Sequence, residues 1–136
     1  MAYVLDASVA LAWLFPDEGH EDAQELIELL EEAAAVVPAI WPLEVGNALL
    51  VALRRGRIKK ADMARLSAAL SGLPIEIDAD FAAEMIPGLL DLASELNLTA
   101  YDAAYVELAR RRQMPLATLD ERLRLACREL QLVTVP

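Results

Sequence analysis

Residues 98–120 read Leu98-Thr99-Ala100-Tyr101-Asp102-Ala103-Ala104-Tyr105-Val106-Glu107-Leu108-Ala109-Arg110-Arg111-Arg112-Gln113-Met114-Pro115-Leu116-Ala117-Thr118-Leu119-Asp120. Thr99 has the side chain of a helix N-cap, and the apolar positions after it predict a helix over 100–112. Pro115 ends that pattern. Leu116 to Thr118 then reads as a short buried strand, and Asp120 or Thr118 opens another helix. A short apolar strand between two helices is the unit of a parallel sheet with helices on both faces.

The same alternation extends through the chain. Ala2 to Leu5 predicts a buried strand, Ser8 to Phe15 a short helix stopped by Pro16, and Val36-Val37 a second strand. Residues 20–34 predict an amphipathic helix, with Ala23, Leu26, Ile27, Leu30, Ala33 and Ala34 on one stripe and six acids on the remainder. Pro42 suits the first position of a helix reaching about Arg55, and a further helix is expected over 59–70. Ile75 to Ile77 is a third strand. Asp78 is then expected to cap a helix from about Ala79, kinked or split at Pro87-Gly88 and ending near Asn97. Leu132 to Val135 closes the series as a last strand. These short strands joined by helices predict an α/β fold with a parallel sheet.

The 136 residues are the size of one domain with one core, so the chain reads as a single domain over 1–136. A hydrophobic content of 57% rules out disorder. The single cysteine, Cys127, excludes an internal disulfide and a cysteine-rich zinc site, and the single histidine, His20, excludes chemistry that needs two imidazoles. The opening residues lack a basic stretch and a long apolar run, so a cytoplasmic protein is expected. Glu44 is the only charge between Ala33 and Leu53, yet Pro38, Pro42, Gly46 and Asn47 favour a buried segment over a membrane span.

In sheets of this kind the ligand crevice lies beyond the carboxyl ends of the strands. Asp6 directly follows the first strand and Asp120 follows the Leu116 strand, while Glu44 and Asp102 fall in the first turns of their helices. Each acid also has a bland role available: Asp6 and Asp120 as helix caps, Asp102 in a capping box with Thr99, and Glu44 answering a helix dipole. Asp6 and Glu44, however, lie in apolar stretches, and no Lys or Arg occurs before Arg54. A buried carboxylate without a partner costs several kcal/mol. A divalent cation is the economical remedy, and an all-oxygen donor set selects Mg²⁺ or Mn²⁺ over zinc. Such ions activate water for attack on phosphoesters. Ser8, Asn47 and Thr118 lie near three of the acids and are candidates to orient them by hydrogen bonds.

The stretches Val4-Leu5-Asp6-Ala7-Ser8-Val9, Pro42-Leu43-Glu44-Val45-Gly46-Asn47-Ala48-Leu49, Leu98 to Ala109 and Pro115 to Asp120 together resemble the PIN-domain ribonucleases, and within them the small VapC-type toxins of toxin-antitoxin pairs. That resemblance implies a three-layer α/β/α domain with a five-stranded parallel sheet. It implies Mg²⁺- or Mn²⁺-dependent cleavage of RNA, with Asp6, Glu44, Asp102 and Asp120 holding metal. A cognate antitoxin and a homodimer are further expectations it brings. Gln113 departs from the family, where a glycine often ends the helix. A receiver domain would need an acidic pair after the first strand and a late lysine, and a haloacid-dehalogenase-type phosphatase a second Asp where Ser8 stands. A catalytically silent module that keeps the fold to bind a protein is the alternative of a different class.

Charge and aromatic residues complete the reading. The net charge of −10 comes from 22 acids and 12 bases, which at first opposes a nucleic-acid partner. Residues 17–32, however, hold eight of those acids and no Lys or Arg, leaving 14 acids against 12 bases elsewhere. Without the four proposed ligands, 10 acids face 12 bases. The bases fall in three groups, Arg54 to Arg65, Arg110 to Arg112, and Arg122 to Arg128, some of which are candidates to hold RNA phosphates. Trp13 and Trp41 are expected in the core or in a groove for a partner rather than as base-stacking platforms, and Tyr101 and Tyr105 are expected to pack.

Overall fold

The computed structural model describes residues 2–15, 25–26, 28 and 32–135. In chain order the elements are β1 (Ala2–Leu5), α1 (Ala7–Leu14), β2 (Ala34–Val37), α2 (Trp41–Arg54), α3 (Lys60–Ser71), β3 (Ile75–Ile77), α4 (Ile86–Leu96), α5 (Ala100–Arg112), β4 (Leu116–Ala117), α6 (Glu121–Glu129) and β5 (Thr134–Val135). The strands form one parallel sheet in the order β3-β2-β1-β4-β5. From β1 the chain steps outward to β3 through α1, α2 and α3, then crosses back to β4 and β5 through α4, α5 and α6. Right-handed crossovers in opposite directions place the two helix sets on opposite faces. The helix contacts agree: α1 and α3 pack on α2, and α4 and α6 pack on α5. The result is the expected three-layer α/β/α arrangement.

The sheet is the centre of the core. Val4, Leu5, Val36, Val37, Leu116 and Ala117 are buried, which is why these strands read as continuous apolar runs rather than alternating ones. Leu108 of α5 and Leu123 of α6 cover one face and are fully buried. Truncating either to alanine should cost about 2–5 kcal/mol. The helix expected over 20–34 lies mostly outside the described residues. Of those described, Glu25, Leu26, Glu28 and Glu32 are helical, with Leu26 buried and the glutamates exposed, and Ala34 already belongs to β2.

Two expectations are corrected between β3 and α4. Asp78 caps no helix; its carboxylate is drawn to arginines of α5, so helix does not begin at Ala79. The chain runs without helix until a single 3-10 turn at Ala83–Met85. Pro87 neither kinks nor splits a helix. It is the second residue of α4, where its missing N–H leaves no hydrogen bond unmade. Pro42 occupies the same position in α2.

Gln113 shows how the turn after α5 is kept without a glycine. Its backbone takes the left-handed conformation with φ 54°. The Met114 N–H donates to Ala109 O at 2.9 Å, the long bond of a Schellman ending. A side chain in that conformation costs about 1 kcal/mol.

Candidate active site

β1 and β4 are adjacent strands from which the chain departs in opposite directions, so their carboxyl ends form the topological switch point of the sheet. The ladder runs one residue past the strands there, with Asp6 N–H donating to Ala117 O at 3.0 Å and Thr118 N–H to Val135 O at 3.1 Å. Asp6 is 6% exposed and Thr118 is fully buried.

Asp6 sits at the N-cap position of α1, yet its side chain makes no capping bond. Instead its Oδ2 accepts from Ser8 Oγ at 2.6 Å and from Thr118 Oγ1 at 2.8 Å. The two hydroxyls are themselves oriented by backbone donors: Leu119 N–H to Ser8 Oγ and Asp120 N–H to Thr118 Oγ1, both 3.0 Å. Each hydroxyl therefore turns its own hydrogen toward Asp6, a relay in which the bonds reinforce each other. Burial nevertheless holds the Asp6 carboxyl above its ordinary range. The two hydroxyl bonds work against that rise, and the charges of Asp120 and Asp102 add to it.

The other three acids stand on three further elements, close enough for their charges to act on Asp6 or on one another. Glu44, in the first turn of α2, is half-buried, and its Oε1 accepts from Tyr105 Oη at 2.6 Å. Its carboxyl is raised by burial, with the Asp6 and Asp102 charges adding. Asp102 stands in the first turn of α5, whose N-cap Thr99 accepts the Asp102 N–H at 3.1 Å. Burial again raises its carboxyl, the Asp120 charge adds, and the Arg122 charge opposes. Asp120 caps α6, accepting from Arg122 N–H at 2.8 Å and Leu123 N–H at 3.4 Å through Oδ1. The capping role is thus realised for Asp120, is met at Asp102 by its N–H donating to the Thr99 hydroxyl, and is absent for Asp6.

Among the described residues none of the four is ion-paired with a lysine or arginine. Nor do any three Asp, Glu, His or Cys side chains among them stand at the spacing of a closed metal cage. Like-charged carboxylates keep apart. Magnesium takes one or two carboxylates directly and holds the rest through its waters, so a looser ring suits it. Oxygen-only and without a basic ion-pair partner among the described residues, with Asp6, Glu44 and Asp102 raised by burial, this donor set fits a hard divalent cation and no softer one.

The remaining candidates divide. Ser8 and Thr118 contact Asp6 as described. Asn47 lies one turn past Glu44 on an exposed part of α2 and bonds none of the acids among the described residues. Arg54 and Arg55 end α2 about 15 Å from Glu44 by helix rise, so that basic group lies away from the crevice. Arg111 and Arg112 are likewise at the far end of α5 from Asp102, and are committed to Asp78. Arg122, in the first turn of α6, is a basic residue whose charge acts on Asp102. Trp41 is buried, as expected. Tyr101 is not a packing residue: it is 62% exposed at the start of α5. Tyr105 is buried but also bonds Glu44, a contact 61 positions away that helical spacing alone could not disclose. Cys127 is buried in the core, which pushes its thiol up to about 11 and leaves it inert at neutral pH.

Known proteins resemble this chain over most of its length. Ribonuclease VapC3 of Pyrobaculum aerophilum is 31% identical over 123 residues, covering 90% of this chain and 92% of that protein. The crystal structure of PAE2754 from Pyrobaculum aerophilum superposes with a TM-score of 0.69 at 29% identity, over 93% of this chain and 87% of that one. A toxin-antitoxin complex from Klebsiella pneumoniae shares the fold at 17% identity, with a TM-score of 0.58 over 87% of this chain and 86% of that one. The PIN domain model matches residues 3–129, from the first buried strand to the end of α6, and so takes in all four acids. With its parallel five-stranded sheet and its acids gathered at the β1–β4 switch point, the chain belongs to the PIN-domain family.

Proposed function

We propose that this chain is a divalent-metal-dependent endoribonuclease of the VapC type, a single PIN domain over residues 1–136 and the toxin of a toxin-antitoxin pair. The observation that carries this reading is Asp6: a buried carboxylate held by two hydroxyls instead of a cation, close enough to Asp102, Asp120 and Glu44 for their charges to act on one another. Asp6, Glu44, Asp102 and Asp120 hold Mg²⁺ or Mn²⁺, and a bound ion supplies an activated water and shields phosphate charge. Ser8 and Thr118 keep the Asp6 carboxylate in one rotamer. Arg122 lends positive charge to the rim where a phosphate enters. The VapC relative and the Klebsiella pneumoniae complex support RNA as substrate and an antitoxin as partner. Assembly as a homodimer and residence in the cytoplasm go with that reading, and no helix among the described residues is long and apolar enough to cross a membrane.

The test is cleavage of structured RNA by purified, antitoxin-free protein. Cutting is expected with Mg²⁺ or Mn²⁺, abolished by excess EDTA, and largely lost in Asp6→Asn and Asp102→Asn with the fold intact. Cleavage unchanged in EDTA would overturn the metal mechanism. No cutting under any metal condition would instead leave a catalytically silent PIN-fold module that binds a protein.

A further inference from the structure

Tyr105 is fully buried, and its ring lies on the inner side of α5 beside Val106, Leu108 and Ala109, which are also fully buried. Packing accounts for the ring but not for the hydroxyl. That hydroxyl reaches across to α2 and donates to Glu44 Oε1 at 2.6 Å, at the short end of the range for an O–H bond to a carboxylate. The backbone N–H of Ala7, the residue after Asp6, also faces the phenol oxygen. One oxygen atom therefore lies between the start of α1, the first turn of α2 and a point one turn past Asp102 on α5. These are three of the four elements that carry the acids. Glu44 needs such a strut more than its neighbours. It has one more rotatable bond than an aspartate, it is only half-buried, and its other hydrogen-bond partners among the described residues are none.

We infer that Tyr105 is a positioning residue: its hydroxyl occupies Glu44 Oε1 and so leaves Oε2 for the divalent cation that Glu44, Asp6 and Asp102 would hold. This rests on the metal-site reading above. Tyr105 touches neither metal nor substrate; it acts through Glu44, as outer hydrogen-bond partners of metal-ligating side chains do. The sequence offers the ring for packing, where phenylalanine would serve equally well. Only the cross-helix contact gives the hydroxyl a purpose.

The experiment is Mn²⁺ binding, read by the loss of the free-ion electron paramagnetic resonance signal, on wild type, Tyr105→Phe, Glu44→Gln and the double variant. The expected result is Mn²⁺ binding by wild type and affinity at least about tenfold weaker in Tyr105→Phe, with thermal melting of the metal-free proteins nearly equal. In the Glu44→Gln background, Tyr105→Phe should weaken binding no further, because the effect passes through Glu44. Wild type and Tyr105→Phe binding Mn²⁺ equally would overturn the inference and leave the metal site standing. Full additivity of the two substitutions would also overturn it, since that marks a general structural effect. Absence of Mn²⁺ binding by wild type would remove the metal-site reading itself, and the inference with it.

Discussion

Asp6 and Asp78 make an instructive pair. Each directly follows a parallel strand, each backbone N–H extends the ladder by one bond, and each side chain is buried. Their surroundings are opposite. Asp78 receives Arg111 in a two-pronged contact at 2.7 and 3.1 Å and Arg112 at 2.9 Å, and Glu107 steadies Arg111 from the next turn at 2.7 Å. The guanidinium of Arg111 draws the Asp78 carboxyl down to about 2. Asp6 receives only hydroxyls, and burial holds its carboxyl up. A buried acid answered by arginine is a fastener, here joining the end of β3 to the last turn of α5. One answered only by neutral donors, among other acids, retains attraction for a cation the protein does not supply.

The contrast predicts a double dissociation. Asp6→Asn should lower RNA cleavage by at least about a thousandfold and leave metal-free stability equal or higher, since it removes a buried charge that lacks a countercharge. Asp78→Ala should do the reverse: about 3–5 kcal/mol of stability lost in urea unfolding, with turnover per folded molecule largely kept. If Asp78→Ala melts like wild type, the fastener role is wrong.

A smaller effect is expected from the hydroxyl relay. Thr118→Val keeps the shape and removes one donor to Asp6, and cleavage should fall about 10–100-fold. An equal loss from Thr118→Ser, which restores the hydroxyl, would show that packing and not the bond is responsible.

Acid sharpens the comparison further. Because the Asp78 carboxyl lies at about 2 in the folded chain and near 4 when unfolded, the folded state binds fewer protons between those values. Its contribution is complete above about pH 4 and is lost as pH falls through about 2, amounting to about 2 kcal/mol. Asp6, shifted upward, acts with the opposite sign, protonation relieving the folded state. Urea unfolding of wild type and Asp78→Asn from pH 5 to pH 2 checks this: the wild-type curve should fall more steeply below pH 4.

The smallest change concerns neither acid but the turn that follows the arginines. Gln113→Gly removes the left-handed strain and adds freedom to the unfolded chain, so a net gain of no more than about 0.5 kcal/mol is expected in thermal melting.

Much of the fold was legible in sequence because its signals are local. Thr99 and Asp120 announce helix starts with side chains that bond the nearest backbone N–H groups, and the structure has both bonds. The buried strands are wholly apolar, which marks a parallel sheet before any contact is known. The stretch from Asp78 to Pro87 departs from its local signals for the same reason. An aspartate after a strand has the look of a helix cap, and the arginines that claim it lie 33 and 34 positions away. The candidate site divides in the same manner. The four acids stand out as charges in apolar surroundings, whereas the Tyr105 hydroxyl and the distance of Arg54 and Arg55 from the crevice depend on how helices are placed.

The sequence by itself therefore determined the order of elements, the class of sheet and which carboxylates lacked a local partner, since each follows from neighbours within a turn or two. Only the tertiary structure decided how each acid is compensated. Compensation is set over a few ångströms between segments far apart in the chain, and there Asp78 meets two guanidinium groups while Asp6 meets two hydroxyls.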